Sequence, residues 1–256
     1  LSSSSAASDV YKRQVQVKES SGEIGSWGDY YARQAWKKPV AVLVDRYSAS
    51  ASEIFAGAIQ DYKRGLIIGH RTFGKGTVQA IQDLSLGQIK ITESKFYRVT
   101  GESTQNRGVI PDIELPSTWD IETIGESSLY LSLPWDSINP VKYRAFKLDQ
   151  DIMAAVKKSY LSRLNDSPNL EYLKNLRMRY DESSDKKELS LNILNRQFEK
   201  EQRRAWILDT ENNRREELGL DIFKLYSDME DFNKEKNEED IDIDVDNDYL
   251  LSLIHI

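Results

Sequence analysis

Three stretches of this sequence have the residue types and spacing for acyl-transfer chemistry. The first is Ser48-Ala49-Ser50-Ala51-Ser52-Glu53, which lies between an apolar run and a helical pattern. A serine on a strand-to-helix turn presents its hydroxyl at the carboxyl edge of a sheet. There the helix N-terminus offers unpaired N–H donors and a positive field, and that field favours the oxyanion of acyl transfer. The second is Phe73-Gly74-Lys75-Gly76. Flanking glycines let the backbone approach a neighbour closely. A lysine acts as general base only when neutral, so burial must lower its pKa from about 10.4. The third is Gln79, four residues after Lys75. A neutral amide fixes a lysine's orientation without the negative charge that would raise its pKa. Serine activated by lysine is one variant of the triad logic.

Each stretch also has a plainer reading. The serines suit helix N-caps, and Ser50 with Glu53 three residues on makes a capping-box pattern. Lys75 suits an exposed loop. On the residues alone Ser48, Ser50 and Ser52 all stay open as nucleophile, and the Ala51 N–H is the local oxyanion candidate. A competing motif overlaps the lysine. Gly69-His-Arg-Thr-Phe-Gly-Lys75 fits the first seven positions of the phosphate-binding loop G-x-x-x-x-G-K-[ST] and follows a predicted strand. Its eighth position is Gly76, so the magnesium-ligating hydroxyl is missing. Thr77-Val78-Gln79 is moreover a poor helix start.

The elements that must position these residues read as follows. Residues 40–44 are a short apolar run, expected as a strand buried on both faces. Residues 48–63 follow helical spacing through Ala51, Ile54, Phe55, Ala58, Ile59 and Tyr62, and Lys63-Arg64-Gly65 ends the pattern. Residues 66–68 are a second buried strand. Strand, helix and strand with tight connections make a parallel crossover. Residues 69–79 read as a glycine-punctuated loop, 88–99 as a longer strand, and 109–115 as an edge segment because of Pro111. From about residue 148 to 218 the pattern is two or three amphipathic helices. Residues 231–248 are strongly acidic and expected to be disordered.

The 256 residues contain no cysteine and carry a formal net charge of -7, which excludes disulfides and argues against a duplex nucleic-acid binder. No apolar run reaches membrane-spanning length. The two ends are related to each other. Asp9-Val-Tyr-Lys-Arg-Gln14 is encoded by GAT GTG TAT AAG AGA CAG, whose reverse complement encodes Leu251-Ser-Leu-Ile-His-Ile256. We read residues 1–14 and 251–256 as translated sequencing adapter. His255 is then not native, and His70 is the one remaining histidine for any Ser-His-Asp triad.

On these residues the sequence resembles the C-terminal processing peptidases, most closely their periplasmic tail-specific branch. The resemblance is carried by Val42-Leu-Val-Asp-Arg-Tyr-Ser-Ala-Ser-Ala-Ser-Glu-Ile-Phe-Ala-Gly-Ala-Ile-Gln-Asp-Tyr62 and by Gly69-His-Arg-Thr-Phe-Gly-Lys-Gly-Thr-Val-Gln79. Lys95-Phe-Tyr-Arg-Val99, Ser103-Thr-Gln105, Gly108-Val-Ile-Pro-Asp-Ile113 and Leu133-Pro-Trp-Asp-Ser-Ile138 extend it. In that family the nucleophile stands 25 residues before the lysine, which selects Ser50. The resemblance implies Lys75 as base and Gln79 as its orienting residue. It implies Glu53 as helix cap and packing partner, Asp61 as anchor and Thr72 as loop support.

The fold implied is α/β, the C-terminal half of a crotonase-like β/α superhelical protease core followed by a helical extension. Residues 15–116 would belong to the protease domain, 117–230 to the helical domain and 231–250 to an acidic tail. A PDZ domain and a glycine-rich oxyanion segment are expected upstream, so this fragment alone is expected to be inactive. The implied substrates are proteins with apolar C-termini, with an adaptor protein as a further candidate partner. No cofactor, metal or nucleic acid is called for. The implied location is the periplasm. A catalytically silent binding homologue and a nucleotide binder are the alternatives.

Overall fold

The computed structural model describes residues 13–28, 36–117, 122–146, 150–164, 166–184, 186 and 188–239. The adapter-like ends lie outside the described residues except for Arg13 and Gln14. Both are engaged: the Arg13 carbonyl accepts from the Tyr62 hydroxyl at 3.0 Å, and the Gln14 N–H donates to the Trp27 carbonyl. The chain divides into two compact units, residues 1–153 and 154–256.

The first unit holds two sheets. Strands β3 (Ala41–Val44), β4 (Leu66–Gly69) and β7 (Ile113–Glu114) form a parallel sheet in the order β3-β4-β7. Helix α1 (Ala51–Asp61) makes the β3-to-β4 crossover, as the spacing predicts. Val42, Val44, Phe55, Ala56, Ala58, Ile59, Tyr62, Ile67, Val99, Val109 and Val141 pack into one cluster. β3 departs from the expectation of burial on both faces. It is an edge strand whose Val44 packs inward, whereas Ala41 and Leu43 are exposed. The edge position leaves those two uncovered among the described residues. β7 stands at the other edge, as Pro111 suggested.

The second sheet is antiparallel, in the order β2-β1-β6-β5. It joins β1 (Val15–Glu19), β2 (Ile24–Trp27), β5 (Thr77–Leu84) and β6 (Gly87–Tyr97). β5 begins inside the 69–79 stretch expected as loop. The expected loop therefore ends at Gly76 rather than Gln79.

The close of α1 also differs in detail. Lys63 takes the left-handed turn that ends the helix (φ 53°), the position glycine usually fills. Gly65 serves close approach instead, because an added Cβ would run into the Val40 backbone.

The second unit is helical: α2 (Gln150–Leu164), α3 (Pro168–Ser184), α4 (Ile193–Glu217) and α5 (Tyr226–Glu239). Arg214 of α4 donates to Asn169 of α3 at 2.7 Å, and Arg179 of α3 stacks over Trp206. Helix α5 runs into the acidic stretch that composition assigned to disorder. Met229 is buried and Phe232 packs on Phe223, so two apolar anchors hold the segment. Residues 240–250 lie outside the described residues. No described helix is long and apolar enough to cross a membrane.

Candidate active site

The turn from β3 into α1 is built by Asp45. Its Oδ1 accepts from the Tyr47 and Ser48 N–H groups at 2.9 Å each and from the Ser48 hydroxyl at 3.1 Å. Ser48 is therefore committed to the turn. Ser50 follows as the N-cap of α1, with φ 57° and ψ -112°. This left-handed conformation is costly for a residue with a Cβ, and such outliers cluster at functional sites. Ala51 is exposed in the first turn, where its N–H has no intrahelical acceptor.

The lysine loop lies beside this turn. The Phe73 N–H donates to the Ser48 carbonyl at 2.9 Å. Gly74 (φ 91°) and Gly76 back onto the 103–108 segment. A Cβ on Gly76 would stand 2.7 Å from the Gln105 nitrogen and 2.9 Å from the Ser103 hydroxyl. Close approach is thus what both glycines provide.

Glu53 joins the two elements. It is fully buried, and its carboxylate accepts four hydrogen bonds. Oε1 takes the Thr72 hydroxyl at 2.5 Å and the Gly74 N–H at 2.7 Å. Oε2 takes the Ser50 N–H at 2.8 Å and the Lys75 N–H at 2.9 Å. The backbones of Ser50 and Lys75 are therefore held on one oxygen. An ionised carboxylate, which only accepts, suits four donors. Burial pushes the Glu53 pKa up, and these hydrogen bonds pull against it without cancelling it. Thr72 is fully buried and also accepts from the Val109 N–H at 2.7 Å, which ties the loop to the segment leading to β7.

Asp61, at the far end of α1, pairs bidentately with Arg98, and Gln60 accepts a further Arg98 hydrogen bond at 2.9 Å. Burial raises the Asp61 pKa and Arg98 pulls it down. Gln79 lies on β5, and its amide donates to Thr92 at 3.2 Å. Lys75 is half-buried. The observed link between Ser50 and Lys75 runs through their backbones and Glu53.

The sequence matches known family models over nearly the whole chain. The sequence model of peptidase family S41 matches residues 3–115, and that of the C-terminal domain of tail-specific protease matches residues 119–251. The chain belongs to peptidase family S41, in its tail-specific protease branch. The tail-specific protease of Haemophilus influenzae is 39% identical over 228 residues, covering 84% of this chain and 33% of that protein. The carboxy-terminal-processing protease of Bartonella bacilliformis is 46% identical over 101 residues, covering 36% of this chain and 23% of that protein. The chain thus spans about a third or less of the length of these relatives. Among solved structures, a photosystem II D1 C-terminal processing protease matches with a TM-score of 0.36 at 41% identity, over 40% of this chain and 27% of that one.

The phosphate-loop reading fails on two counts. Strand β5, not a helix, follows Gly76, so no helix N-terminus waits for a phosphate. The Gly74 and Lys75 N–H groups that would cradle one already hold the Glu53 carboxylate.

Sequence reasoning missed three buried residues that hold the lysine loop. Arg46 is fully buried and donates to the Thr72 and Ile124 carbonyls. Gln105 is fully buried and accepts from the Gly76 N–H at 2.8 Å. Glu126 accepts from the Gln105 amide at 3.1 Å. Arg46 and Gln105 both fall inside stretches that carry the family resemblance. Nothing in their spacing marks them as buried.

Proposed function

We propose that this chain carries the nucleophile and general base of a serine peptidase, Ser50 and Lys75, acting on proteins from an apolar C-terminal tail. The observation that carries the reading is the Glu53 carboxylate, whose Oε2 accepts from both the Ser50 and the Lys75 N–H. It ties a serine with left-handed backbone at a helix start to a glycine-flanked lysine.

In the proposed reaction Lys75 takes the proton as Ser50 Oγ attacks the peptide carbonyl. The oxyanion forms at the start of α1, where Ala51 offers an N–H and the helix field is positive. Lys75 then returns the proton to the leaving amine, and water releases the acyl group from Ser50. Glu53 and Thr72 hold the two loops, and Asp61 anchors the end of α1. Gln79, spent on Thr92 in the observed geometry, is assigned no step. The catalytically silent alternative would be marked by loss of Ser50 or Lys75, and both are present.

We place the protein in the periplasm on the strength of its family branch, with residues 15–116 as protease domain and 117–230 as helical domain. Cell fractionation tests the location; a cytosolic signal would overturn it. For the chemistry, full-length protein is compared with Ser50→Ala and Lys75→Ala on an unfolded protein that ends in an apolar tail. Both variants are expected to lose cleavage. Undiminished cleavage by either one would sink the assignment.

A further inference from the structure

Three successive N–H groups of the lysine loop are held by buried side chains, and only two of them go to Glu53. The third, on Gly76, donates to Gln105 Oε1 at 2.8 Å. The other end of the Gln105 amide, Nε2, donates to Glu126 Oε1 at 3.1 Å. Gln105 is fully buried, and its own N–H donates to the Ser103 hydroxyl at 3.1 Å. The orientation of this amide follows from its neighbours. A backbone N–H needs an acceptor and a carboxylate needs a donor, and a glutamine between them supplies both. Turned over, it would set donor against donor and acceptor against acceptor.

Glu126 grips the same loop a second time. Its N–H donates to the Phe73 carbonyl at 3.0 Å. It therefore meets the loop at Phe73 directly and at Gly76 through Gln105, on both sides of Lys75. The preceding residues are fixed as well. Arg46 bonds the Ile124 carbonyl and, on the loop, the Thr72 carbonyl. Gly125 packs so closely on the Arg46 guanidinium that a Cβ would collide with it. Gly76 cannot slide toward Gln105, because the space for even one carbon is filled.

We propose that Gln105 and Glu126 form a positioning pair that sets the register of the Lys75 loop. Lys75 falls in the peptidase match, whereas residues 124–126 fall in the match to the C-terminal domain of tail-specific protease. The C-terminal domain's sequence thus contributes a clamp on the catalytic loop. This inference rests on the Ser50–Lys75 reading.

The test is a charge-order exchange in full-length protein. Gln105→Glu sets two carboxylates face to face. Glu126→Gln alone keeps an acceptor for the Gln105 amide. The double variant Gln105→Glu/Glu126→Gln restores the donor–acceptor order with the roles reversed. We expect Gln105→Glu to lower kcat about 100-fold, the cost of an ångström-scale misplacement, with KM little changed and the acid limb of the kcat–pH profile moved. Glu126→Gln should lose less kcat than Gln105→Glu, and the double variant should regain most of what Gln105→Glu loses. Should Gln105→Glu not fold, Gln105→Met removes both bonds at similar volume and carries the same expectation for kcat, KM and the pH limb. Full kcat in the Gln105 variants, or a loss that the double variant does not repair, overturns the proposal. Activity surviving in Ser50→Ala or Lys75→Ala overturns the underlying Ser–Lys reading instead.

Discussion

Replacing Glu53 by glutamine tests whether one carboxylate holds the site together. The change keeps the volume but turns one acceptor oxygen into an NH2. That group must face one of two donor pairs. On the Oε2 side it would confront the Ser50 and Lys75 N–H groups, and neither can become an acceptor. On the Oε1 side it would confront Gly74 N–H and the Thr72 hydroxyl. The hydroxyl can rotate to accept, so this is the cheaper arrangement, and Gly74 N–H is the group left without a partner. A buried donor without a partner costs about 1–3 kcal/mol. The remaining bonds lose their charge assistance, which about halves each of them. Relief of the desolvation that raises the Glu53 pKa offsets part of the loss. The net is about 3 kcal/mol of stability. Glu53→Ala, which abandons all four donors, should cost more. Urea unfolding followed by tryptophan fluorescence measures the loss, and hydrogen exchange reads the amides of Ser50, Gly74 and Lys75. Protection at Gly74 should fall most in the glutamine variant. An unchanged unfolding midpoint, with all three amides still protected, would refute the reasoning.

Further outcomes follow from the same geometry. Gly76→Ala should lower thermal stability by about 2 kcal/mol, the range for overpacking, since its Cβ would stand 2.7 Å from the Gln105 nitrogen; an unshifted melting temperature would count against the close packing. Asp61→Ala strands Arg98, whose side chain is only 14% exposed, and should cost about 3 kcal/mol, whereas Asp61→Leu with Arg98→Met should cost less; a double variant as unstable as the single would contradict this. Burial raises both Glu53 and Asp61, so the folded chain holds protons that the unfolded chain releases. Stability should therefore fall as pH rises from the ordinary carboxylate range through the raised values. Unfolding measured across that range should show the slope, and the slope should flatten in the glutamine and asparagine variants. Calorimetry with ATP and magnesium should detect no binding, because the loop's N–H groups already hold Glu53; saturable binding abolished by Lys75→Ala would restore the nucleotide reading.

The crossover that positions Ser50 was legible because its signals are local. An apolar run, a helical period and a basic-glycine stop need no information from elsewhere in the chain. Ser50 itself was selected by spacing within a family. The structure adds a different reason: Ser48 is consumed by Asp45, and Ser50 alone of the three takes a left-handed backbone. Glu53 was legible only in part. Its capping bond to Ser50 is a three-residue relation, but its bonds to Thr72, Gly74 and Lys75 reach 19 to 22 residues along the chain. Gln79 shows the converse. Its role came from the family pattern alone, and the strand that follows Gly76, with the Gln79 amide bonded to Thr92, is not marked by the loop glycines.

On the proposed reading Ser50 and Lys75 exchange a proton, and such a pair cannot be held together by a strong contact of its own. A permanent partner on Lys75 would fix its charge, and one on Ser50 would occupy the attacking oxygen. The constraint has to act on their backbones, from groups that stay out of the proton transfer. Glu53 does this from one side, through the Ser50 and Lys75 N–H groups. Arg46, Gln105 and Glu126 hold the loop on either side of the lysine, through Thr72, Gly76 and Phe73. Each of these four side chains is at least nine-tenths buried. Removing the Glu53, Arg46 or Gln105 side chain should therefore loosen the pair while leaving Ser50 and Lys75 present, whereas the Glu126 bond to Phe73 is made by its backbone N–H and survives side-chain substitution. A variant that loses kcat with Ser50 and Lys75 intact is the signature to look for. A site in which only those two substitutions mattered would have to be held by some other means.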